Sequence, residues 1–203
     1  MLTRDPQSAT GARRVDAIVV GASAGAVEAL GLLLPALPAE LDVPVIVVVH
    51  LPANRPSLLA DLFAPKCALD VREAEDKAEV RPRTIWFAPP GYHLLLERER
   101  TFALSVDEPV NFSRPSIDVL FESAAEVYRA RLLAMVLTGA NQDGSQGAAA
   151  VHRAGGLVAV QDPDTAQAPT MPALCIARTQ PHFVGSLTDL ATFAIGHALG
   201  RQS

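Results

Sequence analysis

The sequence predicts an α/β fold: a doubly wound, mostly parallel sheet with helices on both faces and one antiparallel hairpin. Short β-branched runs alternate with helical stretches along the chain, the order that builds parallel sheets. The apolar runs over 16–23, 43–50 and 131–139 lack the polar alternation of a one-sided strand, so both of their faces must be covered. One alternating segment with charge at its centre, HLLLERERTFALSVDE, reads instead as a hairpin.

Taken in order, DAIVVGAS (Asp16 to Ser23) is a strand running into a glycine turn, and Ala24 to Leu34 is helical until Pro35 and Pro38 stop it. VPVIVVVH (Val43 to His50) has the composition of a central strand, and Pro56 to Phe63 a short helix with proline in its first turn. Leu69 to Arg72 and Thr84 to Ala88 are short strands, followed by hairpin arms near His93 to Glu97 and Thr101 to Val106. Ser116 to Arg129 is amphipathic: Ile117, Leu120, Phe121, Ala124, Ala125 and Tyr128 share one face, and Ser116 is expected to cap its start. Arg131 to Gly139 is a buried strand, Gly144 to Ala154 a small-residue helix and Gly156 to Gln161 another strand. Helices are expected over Pro172 to Arg178 and Leu187 to Leu199.

Composition narrows the function. At 203 residues, 49% hydrophobic and 19% charged, the chain can bury a sizeable core. With 17 basic against 22 acidic residues, it offers no basic stripe for nucleic acid. The longest apolar run, Val43 to Val49, contains Pro44 and falls far short of the roughly 20 residues that span a bilayer, so no membrane insertion is expected. The N-terminus lacks an apolar secretory core, and Cys67 and Cys175 stand without a CxxC partner, as buried free thiols do; both observations point to the cytoplasm. Residues 1–14 read as a flexible arm and residues 15–203 as one domain, with no internal repeat or dividing linker.

In such a sheet, ligands bind beyond the carboxyl ends of the strands. The residues following three strands are Ser23 (in GASAGA), His50, and Asp143 (in TGANQDG). Parallel strands would bring them to one rim, as the nucleophile, base and orienting carboxylate of a serine hydrolase. Each also has an ordinary structural reading: Ser23 as a helix cap, His50 as a satisfied strand-end histidine, Asp143 as a cap for the helix after it. GASAGA could also be a phosphate-binding turn, but it lacks the G-x-G-x-x-G spacing, and the second strand ends in His50 where an acidic residue would hold a ribose.

The ordered blocks VVGASAGAVEAL, VVVHLPANRPSLLADLF, IWFAPPGYHLLLE, SRPSIDVLFESAAEVY, MVLTGANQDGSQG and AVQDPDTAQAPTMPALCIA resemble the catalytic domain of the chemotaxis protein-glutamate methylesterases, over about Asp16 to Leu199. The resemblance implies a serine esterase acting on glutamate γ-methyl esters of the cytoplasmic helices of chemoreceptors, with glutamine deamidation in some relatives. It places the catalytic roles on Ser23, His50 and Asp143, and the oxyanion donors on the backbone N–H groups of Ala24, at the opening of a helix, and of Ala140. The implied mechanism requires no cofactor, and His93, His152, His182 and His197 lack ligand partners at zinc spacing. A non-catalytic binding or scaffold module that resembles this family without its chemistry is the alternative.

Two residues depart from the family's loops. Ala26 stands where a second glycine usually closes the serine turn, and Asn141 stands in the Asp143 loop, where a positive φ would keep its turn. Only about 15 residues precede the first strand, too few for the receiver domain that many members carry. The chain is therefore expected to be either a stand-alone esterase or a fragment of a longer protein. A separate receiver-domain protein or a methyltransferase is the partner this implies.

Overall fold

The computed structural model describes residues 13–52 and 55–200, so the arm expected over 1–14 lies outside it except for Arg13 and Arg14. β1 (Ala17–Ala22) leads to α1 (Ala26–Leu33), followed by β2 (Val45–Val49), α2 (Leu59–Phe63), β3 (Asp70–Glu73) and β4 (Thr84–Phe87). A hairpin of β5 (His93–Leu96) and β6 (Phe102–Ser105) comes next, then α3 (Ile117–Tyr128) and β7 (Leu132–Val136). The chain continues through α4 (Ser145–Arg153), β8 (Leu157–Gln161), α5 (Thr170–Thr179), β9 (Phe183–Gly185) and α6 (Leu187–Leu199).

Seven strands form one sheet in the order β3-β4-β2-β1-β7-β8-β9, and every pairing in it is parallel. β5 and β6 pair antiparallel in a separate ribbon. Successive side chains of β1 point to opposite faces. Ile18, Val20 and Ala22 enter one core with Leu30 of α1 and Leu190 of α6, while Ala17 and Val19 enter the other with Phe121 of α3, Val151 of α4 and Cys175 of α5. Both faces are therefore covered, which is why β1, β2 and β7 are apolar throughout and buried at every position.

The order reverses between β1 and β7. The chain builds outward on one side through β2, and on the other through β7 and β8, leaving a crevice at the carboxyl ends of β1 and β7. α3 sits tightly beside it because two glycines let it in. A Cβ on Gly21 of β1 would come within 2.3 Å of Ile117 Cγ2, and one on Gly147 of α4 within 2.6 Å of Phe121 Cβ and 2.9 Å of the Asp118 carbonyl oxygen.

The amphipathic face expected for α3 is the buried one, and α6 spans the residues expected of it. Other elements differ. α2 begins at Leu59, so Pro56 precedes the helix rather than standing in its first turn. α5 begins at Thr170 and carries Pro172 within its first turn, where a missing N–H costs nothing. β9 has no counterpart in the expectations: a three-residue strand ending in glycine exists only because it pairs with the edge of β8. Cys175 is buried as expected, whereas Cys67 is partly exposed; both thiols are free. Among the described residues, no helix is long and apolar enough to cross a membrane.

Candidate active site

Ser23, His50 and Asp143 meet at the reversal point. The Ser23 hydroxyl donates to His50 Nδ1 at 3.1 Å, and His50 Nε2–H donates to Asp143 Oδ2 at 2.8 Å. The carboxylate thereby sets the tautomer, placing the proton on Nε2 and leaving Nδ1 free to accept from serine. The His50 side chain retains 13% exposure, and that of Asp143 none.

The serine turn is held from three sides. Ser23 N–H donates to the Thr138 carbonyl at 2.9 Å, and Thr138 Oγ1 donates to the Ala24 carbonyl at 2.8 Å while accepting from Ala168 N–H at 2.9 Å. Thr138 N–H in turn donates to Gln161 Oε1 at 2.9 Å, tying the turn to the ends of β7 and β8. Gly25 takes the left-handed conformation (φ 81°) that ends the turn, so Ala26 enters α1 as an ordinary buried helical residue and needs no glycine's freedom. Because α1 opens at Ala26, Ala24 lies in the turn ahead of the helix rather than at its start. Ala24 and Ala140 are both exposed, and neither N–H is donated to another group among the described residues.

Asp143 is the most heavily engaged side chain of the group. Oδ2 accepts from His50 and from the Ile117 N–H at 2.6 Å; Oδ1 accepts from Ser116 Oγ at 2.8 Å, Asn111 Nδ2 at 3.0 Å and the Asp118 N–H at 3.2 Å. Asp143 therefore caps α3, not α4 that follows it, where the N-cap is Gly144 (φ 88°). The expected cap of α3, Ser116, makes no capping bond; its hydroxyl is turned into the carboxylate instead. Burial alone would raise the Asp143 carboxyl, but the hydrogen bonds from His50, Ile117, Ser116 and Asn111 outweigh it and hold the group below the ordinary carboxylate range. Asn141 does not adopt a positive φ; its Oδ1 accepts from the Asp143 N–H at 3.2 Å, closing the turn through the side chain.

A second buried carboxylate, Asp118, lies beside the first. It accepts from Gly147 N–H at 2.7 Å and from Asn111 Nδ2 at 2.9 Å. Burial, reinforced by the charges of Asp143 and Glu122 and opposed by these hydrogen bonds, pushes its carboxyl up to about 6. His93, from the block IWFAPPGYHLLLE, is a buried pin: Nε2–H donates to the Glu108 carbonyl at 3.1 Å, and Nδ1 accepts from Ser116 N–H at 3.2 Å.

A cleft of about 470 Å³ opens at His50, walled by Leu51, Pro52, Pro109, Phe112, Ser113 and Arg114, a size suited to an extended side chain. Arg114 is held by the Val106 and Asp107 carbonyls at 2.7 and 3.0 Å, and Phe112 is fully exposed. Asn111 and Phe112 are both left-handed (φ 50° and 62°) at the centre of a tight turn closed by reciprocal Val110–Ser113 hydrogen bonds. Asn tolerates that conformation, but Phe occupies it at a cost of about 1–2 kcal/mol. A larger hollow of about 1060 Å³, lined by Arg98, Glu122, Glu126, Arg129 and Arg153, involves none of Ser23, His50 and Asp143.

Asn111, Ser116, Asp118, Thr138 and Gln161 were not singled out for the site by sequence. Ser116 and Asp118 fall within a block that carries the resemblance, but no spacing ties them to Asp143. Asn-Phe bears no turn signature, since Asn-Gly is the pair that marks such turns.

A model of the CheB methylesterase family matches residues 18–193. A Leptospira interrogans protein provisionally named protein-glutamate methylesterase/protein-glutamine glutaminase is 44% identical over 89% of this chain and 93% of its own length. The Symbiobacterium thermophilum protein of that name is 36% identical over 88% of this chain, which spans 50% of its length. The crystal structure of the Thermotoga maritima CheB methylesterase catalytic domain superimposes with a TM-score of 0.85 at 32% identity, over 89% of this chain and 97% of that domain. The chain belongs to the CheB methylesterase family.

Proposed function

We propose that residues 15–203 form a protein-glutamate methylesterase in which Ser23 is the nucleophile, His50 the general base and Asp143 the carboxylate that orients it. The observation that carries this reading is the continuous hydrogen-bonded chain from Ser23 Oγ through both ring nitrogens of His50 to a buried, ionised Asp143. Ser23 Oγ attacks the γ-carbonyl of a glutamyl methyl ester while its proton passes to His50 Nδ1. The tetrahedral oxyanion takes hydrogen bonds from the unengaged N–H groups of Ala24 and Ala140. Collapse expels methoxide, which takes the proton from Nδ1 and leaves as methanol. Water, deprotonated by the same nitrogen, then releases glutamate and regenerates the serine. A glutamine amide follows the same path, with ammonia leaving.

The substrate this reading selects is a methylated cytoplasmic helix of a chemoreceptor, its side chain entering beside His50 and its backbone passing over Phe112 and Arg114. A separate receiver-domain protein or a methyltransferase would dock on the same rim, in the cytoplasm. The test is methanol release from a methylated receptor fragment, run beside Ser23→Ala. Release that disappears with the serine supports the assignment; release that survives the substitution refutes it.

A further inference from the structure

The triad's carboxylate does not stand alone: Asp143 and Asp118 are both buried, and among the described residues neither meets a Lys or Arg within 4 Å. One side chain lies between them. Asn111 Nδ2 donates to Asp118 Oδ2 at 2.9 Å and to Asp143 Oδ1 at 3.0 Å, which uses both of its hydrogens, and its Oδ1 accepts from Gln142 Nε2 at 3.1 Å. The reverse orientation of the amide would set its carbonyl oxygen against two carboxylates, so this orientation is the one the surroundings enforce.

We propose that Asn111 is a positioning residue for the reaction: its amide bridges the two carboxylates and keeps Asp143 ionised and aimed at His50. This rests on the esterase reading above. Two carboxylates this close repel, and the usual outcome is that one takes up a proton. A bridging amide supplies a proton donor to each without adding a charge. Its effect reaches the chemistry because the same Asp143 holds the Nε2–H tautomer of His50.

The local backbone fits the role. Asn111 stands in a tight turn with two left-handed residues, and that turn directs the Asn111 amide toward Asp143 while Phe112 faces solvent at the cleft. A strained turn persists where the contacts of its side chains over-determine it. The same loop thus walls the cleft and holds the carboxylate.

The other titratable groups around the cluster are His50 after β2, His93 on β5, Glu122 one turn along α3 and Cys175 on α5. Arg114, on the same loop, is occupied by the Val106 and Asp107 carbonyls, and no salt bridge ties it to either carboxylate. Among the described residues, only His50 and Asn111 therefore donate to the two carboxylates from outside the start of α3 and the α4 backbone.

The experiment measures the rate constant for modification of Ser23 by a small phosphonyl fluoride between pH 5 and 8. The probe does not need the extended cleft. In Asn111→Ala the rate should fall by roughly 10- to 100-fold, the factor equivalent to one hydrogen bond to a charged group. Asn111→Asp keeps the shape of the side chain and replaces the donor by a third carboxylate, so it serves even if the alanine variant fails to fold. Its rate relative to wild type should be low at pH 8 and rise toward one as acid supplies a bridging proton. A residue that merely shapes the loop would leave probe rates at the wild-type value and move only the KM for a receptor fragment. That result, or a ratio for Asn111→Asp that is flat or falling toward acid, overturns the proposal while leaving the esterase reading intact. A wild-type Ser23 inert to the probe overturns both.

Discussion

Asp143→Asn should cost stability as well as activity, which sets it apart from an ordinary isosteric change at a triad. Asp143 presents two oxygens to donors on both sides: His50 and the Ile117 N–H at one, Ser116, Asn111 and the Asp118 N–H at the other. An amide has one acceptor end. If its oxygen faces Ser116, Asn111 and the Asp118 N–H, its NH₂ confronts the His50 and Ile117 donors; if it faces His50 and the Ile117 N–H, its NH₂ confronts the Asn111 amide and the Asp118 N–H. Ser116 and His50 can reorient their protons, but at least one fixed backbone N–H is left unpaired in a fully buried place. Each orphaned donor costs about 1–3 kcal/mol, and exchanging the charge-assisted bonds for neutral ones adds a comparable amount. The expected loss is therefore on the order of 2–5 kcal/mol, a large part of the 5–15 kcal/mol of a typical domain. Activity should fall by several orders of magnitude through the wrong histidine tautomer. The assay is urea denaturation followed by circular dichroism, with Ser23→Ala as the control. The serine variant removes one partly exposed 3.1 Å hydrogen bond and should stay within about 1 kcal/mol of wild type. An Asp143→Asn protein as stable as wild type would show that this carboxylate does not hold the start of α3, and the donor accounting would be wrong.

Ser23→Ala and His50→Ala should each abolish most turnover, and the double variant should be hardly worse than either; additive losses in steady-state kinetics would mean the two do not share a step. Asp118 should titrate near 6 by carboxyl ¹³C NMR, and a midpoint below 5 would refute the burial argument. Because its folded value lies above the unfolded one, its contribution to stability is greatest below about pH 4 and is lost as pH rises through 6, by about 3 kcal/mol in all. Asp143, held below its unfolded value, contributes in the opposite sense, its stabilisation fading as pH falls below about 4; comparing wild type with Asp118→Asn at pH 4.5 and 7 separates the Asp118 effect from those of Glu73 and His182, whose values are also shifted. Gly147→Ala drives a methyl into Phe121 and the Asp118 carbonyl and should lower thermal stability by about 1–3 kcal/mol, with activity falling as α3 shifts. Phe112→Ala, at a fully exposed position, should leave stability within about 0.5 kcal/mol and raise the KM for a receptor fragment.

The sequence alone determined the alternation of strand and helix, the buried character of β1, β2 and β7, the core face of α3 and the three residues at the strand ends. Each of these follows from local periodicity: an unbroken apolar run requires cover on both faces, and a parallel sheet brings its strand ends to one rim whatever lies between them. Residues whose meaning depends on a distant partner were decided only by the tertiary structure. Ser116 looks like a cap because it precedes a helix after a proline, yet its hydroxyl is turned to a carboxylate 27 residues away that takes over the capping. Asn141 was expected to keep its turn by a left-handed backbone, and does so through its side-chain oxygen. β9 is a strand only because the edge of β8 is there to pair with it. Asn111 belongs to a turn without sequence signature, and its amide acquires a role where α3, α4 and the β7 loop bring two carboxylates together. Periodicity reports which face of an element is buried; which polar groups meet there is set by the packing of elements far apart in the chain.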